Sequence, residues 1–206
     1  MPCWSYENPF YSQKSFKLYY TESSLIDEDG RTVMMDWEKP VMKKASEVIT
    51  VNGGDILNIG FGMGIVDTYI QETNPNSHTI IESHEDVINY MKENGWEDKC
   101  NCVYGRWQDN LNIGKFDGIY LDTWREERVS HIPELLDNCL KVGGVFSMWY
   151  QDWEFTQLKL SEDYEISYTH VKNDNLIPEK QYQGGGKYID TNLDIIVVPI
   201  VKRIKC

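Results

Sequence analysis

The sequence predicts an α/β protein built on a doubly wound, mostly parallel sheet of seven strands that ends in an antiparallel hairpin. Three observations carry this. Between residues 40 and 149, short apolar runs of strand length alternate with apolar residues at helical spacing, the pattern of parallel strands joined by right-handed crossover helices. A glycine-rich turn, Gly60-Phe61-Gly62-Met63-Gly64, lies directly between the first of those strands and the next helix. The last two strand-like runs, 164–170 and 193–201, have no strong helical pattern between them, so they pair as a hairpin at one sheet edge.

Each element has its own signal. Residues 1 to 35 are rich in aromatics but weakly periodic. Within them Leu25-Ile26 and Thr32-Val33-Met34 flank Asp27-Glu28-Asp29-Gly30, a hairpin around an Asp-Gly turn. We expect residues 1–40 to form an amino-terminal lid on a single domain that spans 1–206. After Pro40, the spacing of Val41, Met42, Ala45, Val48 and Ile49 predicts a helix that Gly53-Gly54 stops. A strand over 56–59 follows, then a helix carrying Ile65, Val66, Tyr69 and Ile70, with Pro75 beyond it. Next come a strand over 78–81 and a helix carrying Val87, Ile88 and Met91 that ends at Gly95. Further strands are predicted over 102–104 and 116–121, and a helix over 132–140. Lys141-Val142-Gly143-Gly144 reads as a break before a strand over 145–149, and Gly184-Gly185-Gly186 as a flexible connection between the final strands.

Composition narrows the function classes. The chain has 206 residues, enough for one sizeable core. Its 33 acidic and 20 basic side chains give a formal net charge of -13, a field that repels nucleic-acid phosphates and anionic membranes and favours cationic substrates. The five cysteines are odd in number and scattered, and Cys100 and Cys102 form a C-x-C pair rather than paired C-x-x-C zinc spacing. The expectation is a reducing compartment without a structural metal. The first residues show no signal-peptide pattern, and the longest apolar runs are too short to span a bilayer. A cytoplasmic protein is expected, with no nucleic-acid or membrane partner and an oligomeric state left open.

The chemistry concentrates at strand ends. Glycines directly after a buried strand and before a helix let the backbone approach a nucleotide-like ligand. The spacing departs from the G-x-G-x-x-G of dinucleotide enzymes, because no glycine lies three residues beyond Gly62. A pyrophosphate, and with it a nicotinamide oxidoreductase, is disfavoured. Glu82 ends the second strand 22 residues after Gly60, where an acid can accept hydrogen bonds from both ribose hydroxyls. His84 reads as a helix cap and His131 as a helix-entry residue, with no catalytic role for either.

Four blocks in order carry a resemblance: Val33-Met34-Met35-Asp36-Trp37-Glu38; Leu57 to Gln71, which contains the glycine turn; Gly105-Arg106-Trp107-Gln108-Asp109; and Phe116-Asp117-Gly118-Ile119-Tyr120-Leu121-Asp122-Thr123. Over about residues 25 to 150 the chain resembles class I S-adenosylmethionine-dependent methyltransferases of the guanidinoacetate N-methyltransferase and fungal protein arginine N5-methyltransferase branch, which have a Rossmann-like fold. The resemblance implies S-adenosylmethionine as cofactor and S-adenosylhomocysteine as product. It implies that Gly60, Phe61, Gly62 and Met63 lie along the methionine part, that Glu82 with Ser83 meets the ribose, and that Gly105, Arg106 and Trp107 border the adenine. Asp122 lies where cofactor and substrate meet. Glu38 and Asp122 would hold the substrate guanidinium and act in catalysis, with Thr123 and Trp37 beside them. No metal is implied.

Elementary chemistry agrees with the last assignment. A planar guanidinium presents five donors in a fixed fork, and two carboxylates are its complement. Asp122 follows the fourth strand at the carboxyl edge of the sheet, where ligands of open α/β sheets bind. Glu38 reaches the same cleft only if residues 25 to 40 fold over it. Trp37 and Trp107 read equally as core residues. Arginine, guanidinoacetate, a related guanidino compound and an arginine on a protein all remain open as acceptors, as does the nitrogen methylated. A catalytically silent, cofactor-binding regulatory module on the same fold is the alternative. Residues 124–130 and 151–190 have no assigned role.

Overall fold

The structure, a computed structural model, describes residues 16–124, 128–149, 157–174 and 194–205. The triplet Gly184-Gly185-Gly186 lies outside the described residues.

The first elements among the described residues are three short strands, β1 (Leu18–Tyr20), β2 (Ser24–Asp27) and β3 (Thr32–Met35), which form a separate antiparallel sheet in the order β1-β2-β3. The expected hairpin is β2–β3, and its turn is tied by the Gly30 amide to the Asp27 carbonyl at 2.9 Å. Strand β1 adds to it without a clear sequence signal. A 3-10 turn at Asp36–Glu38 leads into α1 (Lys39–Ile49), with Pro40 in its first turn, where the missing N–H costs nothing. Val41, Met42, Ala45 and Ile49 bury one face of α1.

The alternation predicted from the sequence follows: β4 (Asp55–Ile59), α2 (Ile65–Glu72), β5 (Ser77–Glu82), α3 (Glu85–Glu93), β6 (Asn101–Tyr104), β7 (Phe116–Leu121), α4 (Ile132–Cys139), β8 (Leu140–Met148), β9 (Tyr164–Lys172) and β10 (Ile195–Arg203). The seven-stranded sheet runs β6-β5-β4-β7-β8-β10-β9. Pairs β4–β5, β4–β7, β5–β6 and β7–β8 are parallel, while β10 is antiparallel to both β8 and β9.

Strand pleating sends alternate residues to two cores. Ile56, Ile80 and Tyr120 pack with α1, α2 and α3, whereas Leu57, Ile59, Ile81, Ile119 and Leu121 pack with α4 on the opposite face. The break expected at 141–144 is instead part of β8. Register jumps from Phe116 opposite Leu140 to Gly118 opposite Val145, so the extra residues bulge out of a continuous strand, and Gly143 at φ +83° supplies the turn. Lys141 anchors the bulge through its Nζ, 2.8 Å from Asp55 Oδ2 and 2.7 Å from Asp117 Oδ2. Among the described residues no helix is long and apolar enough to cross a membrane.

Candidate functional site

The carboxyl ends of the parallel strands form one rim. Backbone hydrogen bonds carry the ladder one residue past each strand: Gly60 N–H to the Ile81 carbonyl, Gly105 N–H to Glu82, Asp122 N–H to Ile59 (all 2.9 Å) and Trp149 N–H to Leu121 (3.1 Å). The sequence-predicted residues Gly60, Glu82, Gly105 and Asp122 therefore stand side by side. Gly60 has φ +88°, and a Cβ there would collide with the Asp122 carbonyl oxygen. Only glycine permits that approach of the β4 and β7 ends.

Glu82 is buried, and its carboxylate does more than await a ligand. Oε2 accepts the Phe61 amide at 2.9 Å, and Oε1 accepts the amides of Ser83 and His84 at 2.7 and 2.8 Å. Burial raises the pKa of this carboxyl, and the three N–H donors pull it back. The glycine turn is thus fastened to the end of β5. Phe61 turns its side chain into the core, edge-on to Trp96 at 5.1 Å, so its backbone alone borders the rim. Met63 is half-buried, while Ser83 and Arg106 are exposed. Trp107 is buried in the α4-side core, edge-on to His131 at 6.0 Å. His84 caps α3 as expected, its ring accepting the Asp86 amide, and His131 stands at the entry to α4.

The substrate side joins three distant segments. Glu38 is fully buried; Oε1 accepts the Met35 amide at 2.7 Å, and Oε2 has no hydrogen-bond partner among the described residues. Burial drives the Glu38 pKa well above the usual carboxylate value, the nearby charge of Asp122 pushes it further, and the Met35 amide opposes both. Asp122 and Thr123 are half-buried, and the buried Thr123 Oγ1 likewise lacks a partner among the described residues. Trp37 packs edge-on to Trp149 at 6.3 Å.

Several neighbours escaped the sequence reading. Tyr120, buried on β7, feels the charges of Asp122 and Glu38 and, in the opposite sense, Arg128; burial first and then the two acids keep its phenol protonated. Arg128, from the stretch 124–130 to which the sequence assigns no role, is 3% exposed. Tyr20 donates its hydroxyl to the Gly62 carbonyl at 2.7 Å and stacks on Tyr90 at 3.9 Å. Met34 lies against Gly62, with its sulfur 3.3 Å from the Met63 amide. Neither contact has a sequence signal, because both join residues more than 25 positions apart. Among the described residues no group of three or more His, Cys, Asp or Glu side chains could hold a metal ion.

Comparison with known proteins follows the geometry. The family model described as guanidinoacetate N-methyltransferase matches residues 12–168. The chain is 45% identical over 148 residues to protein arginine N-methyltransferase 2 of Candida glabrata, covering 65% of this chain and 36% of that protein. It is 35% identical over 199 residues to the protein of the same name from Yarrowia lipolytica, covering 87% and 40%. The chain therefore spans well under half the length of these relatives. Among solved structures, a putative methyltransferase from Escherichia coli matches with TM-score 0.56 at 10% identity, covering 80% of this chain and 88% of that one. The Podospora anserina methyltransferase solved with S-adenosylhomocysteine matches with TM-score 0.52 at 13% identity, covering 82% and 78%. These two share the fold. With the family model spanning most of its length, the chain belongs to the guanidinoacetate N-methyltransferase family.

Proposed function

We propose that this chain is an S-adenosylmethionine-dependent N-methyltransferase domain whose acceptor is a guanidino group, with arginine, free or in a protein, as the substrate class. The observation that carries the reading is the Glu38–Asp122 pair. A fully buried carboxyl with one oxygen lacking a partner among the described residues, next to a second acid, is an arrangement that favours a cation bearing hydrogen-bond donors. A guanidinium supplies the charge and donors for both. The relatives named as arginine methyltransferases support the acceptor class.

The rim fits the cofactor by its donor set. Of the roughly four acceptor sites on the Glu82 carboxylate, its three amide bonds leave one for a ribose hydroxyl. Gly60, Gly62 and Met63 of the turn are half-buried, the Asp122 backbone lies against Gly60, and the Asp122 charge reaches Glu38. Bound there, the cofactor supplies a methyl group on a sulfonium that is already a leaving group.

The chain's own residues then position and deprotonate. Asp122 accepts a hydrogen bond from the nitrogen to be methylated and takes its proton as the new N–C bond forms, so the product keeps a single positive charge. Glu38 holds the other edge of the fork. With both acids committed, the guanidinium is fixed in orientation, which is the larger part of an in-line transfer.

Residues 16–38 serve as part of a lid in this reading. The Leu18 amide reaches Asp86 Oδ2 at 2.9 Å, the Phe16 carbonyl lies 3.0 Å from His84 Nε2, and Tyr20 clasps Gly62. These contacts tie the amino-terminal sheet to the glycine turn and to α3.

A methyl-transfer assay with radiolabelled cofactor over arginine, guanidinoacetate, related guanidino acids and arginine-containing proteins tests the proposal. Label is expected in an arginine-containing acceptor. Binding of S-adenosylhomocysteine with no incorporation into any guanidino compound would replace it with the silent, cofactor-binding module.

A further inference from the structure

Beneath the glycine turn runs a buried polar chain that the chemistry above does not use. Asn58 sits on β4 and is fully buried, as is Asp67 in the first turn of α2; His78 on β5 is nearly so. The Asn58 Nδ2 lies 2.8 and 2.9 Å from the two Asp67 carboxylate oxygens and 3.0 Å from the Gly60 carbonyl. All three are acceptors, so the amide can face them only with its nitrogen. Its two protons are divided between the helix and the turn.

Asp67 is held in turn. His78 Nε2 lies 3.1 Å from Asp67 Oδ1, and His78 Nδ1 faces the Gln71 amide nitrogen at 2.8 Å. Cys100 Sγ also lies 3.3 Å from Nδ1, so the ring faces Asp67 on one side and Gln71 with Cys100 on the other. Asn58 thus donates to Asp67 on one side and to the carbonyl of the first glycine on the other, with the His78 ring lying against the same carboxylate. An aspartate at position 58 would bring a second carboxylate against Asp67 and offer the Gly60 carbonyl nothing. The shape demands a donor there.

We infer that Asn58, braced by Asp67, is a positioning residue for the cofactor: it sets the Gly60 carbonyl and hence the turn on which the methionine portion would rest. This role depends on the proposed cofactor site at that turn. Asn58 touches the turn and not the ligand. Its effect should fall on cofactor affinity rather than on the acceptor.

The test exchanges the two partners. In the double variant Asn58→Asp with Asp67→Asn the amide–carboxylate pair is rebuilt with its polarity reversed. The carboxylate placed on β4 has no proton for Gly60. Calorimetric titration with S-adenosylhomocysteine and thermal melting are read together. Wild type that fails to bind S-adenosylhomocysteine would overturn the cofactor site itself, a separate result. With wild-type binding established, the exchange variant should melt within a few degrees of wild type and bind about tenfold more weakly. Recovery of affinity together with melting temperature would mean that the pair is merely structural and would overturn the role. If the exchange variant does not fold, Asn58→Ala decides, against Lys141→Met as a control destabilised at the opposite edge of the sheet. Weakened binding in Asn58→Ala, with the control within about threefold of wild type, supports the role; unchanged binding in Asn58→Ala overturns it.

Discussion

Tyr20 ties the amino-terminal three-stranded sheet to the glycine turn through a 2.7 Å hydrogen bond from its hydroxyl to the Gly62 carbonyl. The ring is independently held by its stack on Tyr90, 11° from parallel. Tyr20→Phe therefore removes the hydrogen bond and leaves the packing. A net contribution of roughly 0.5–1.5 kcal/mol corresponds to a loss of about two- to tenfold in cofactor affinity if the clasp closes over bound cofactor. Calorimetry with S-adenosylhomocysteine should show that loss with little change in melting temperature. Equal affinity in the variant would remove the lid from the account.

Glu38→Gln and Asp122→Asn separate binding of the acceptor from binding of the cofactor. Both keep side-chain volume and remove a charge beside the guanidinium. Asp122→Asn also loses the proton acceptor, for which a drop in turnover of about 10²–10⁴ is expected. Glu38→Gln should act mainly on the acceptor KM. S-adenosylhomocysteine affinity in Glu38→Gln should stay near wild type, because Glu38 is beyond the strand-end residues of the cofactor turn. Transfer at the wild-type rate in Asp122→Asn would sink its role.

Glu38 also makes stability depend on pH. Its folded-state pKa is raised by burial and then by Asp122, so folding favours the protonated form. The associated stability is complete below the ordinary carboxyl pKa and is lost as pH rises toward the raised value. Glutamine mimics the neutral form at every pH. The melting temperature of Glu38→Gln minus that of wild type should therefore become more positive between about pH 5 and pH 8, in protein without acceptor. A difference that stays flat or falls with pH would contradict the burial of this carboxyl. Glu82 shifts in the same direction and is present in both proteins, so it cancels.

What the sequence shows and what it hides differ in kind. Strands β4, β5 and β7 are buried on both faces, so Ile56–Ile59 and Ile119–Leu121 announce themselves as apolar runs bounded by Gly60 and Asp122. The rim of the site comes with them, because parallel strands must end at one edge. Glu38 is different. An acid just before Pro40 looks like a solvated first-turn residue, yet it is fully buried, in a fold where β1–β3 return across the glycine turn. Asn58, Asp67 and His78 each look like ordinary polar positions on their own elements; their meaning arises when β4, α2 and β5 pack together.

Lys141 shows the same limit at the other edge of the sheet, where local glycines imitated a loop. Its ammonium lies between Asp55 and Asp117, and the Asp55 amide also donates to Asp117 Oδ2 at 2.7 Å. Lys141→Met leaves two acids facing each other at the mouth of the β8 bulge, without touching the ligand rim. The side chain is about one-third exposed, so solvent screening keeps the effect moderate, and a loss of a few degrees in melting temperature is expected near neutral pH. The sign with pH is fixed by Asp55, whose pKa is lowered first by its hydrogen bond to Lys141 and then by Ser77. That stability is present above the ordinary Asp pKa and disappears as pH falls through the lowered one. Melting curves of variant and wild type should therefore converge in acid, and S-adenosylhomocysteine affinity at neutral pH should be the same in both. A gap that stays constant into acid would show that Lys141 acts through something other than its charge.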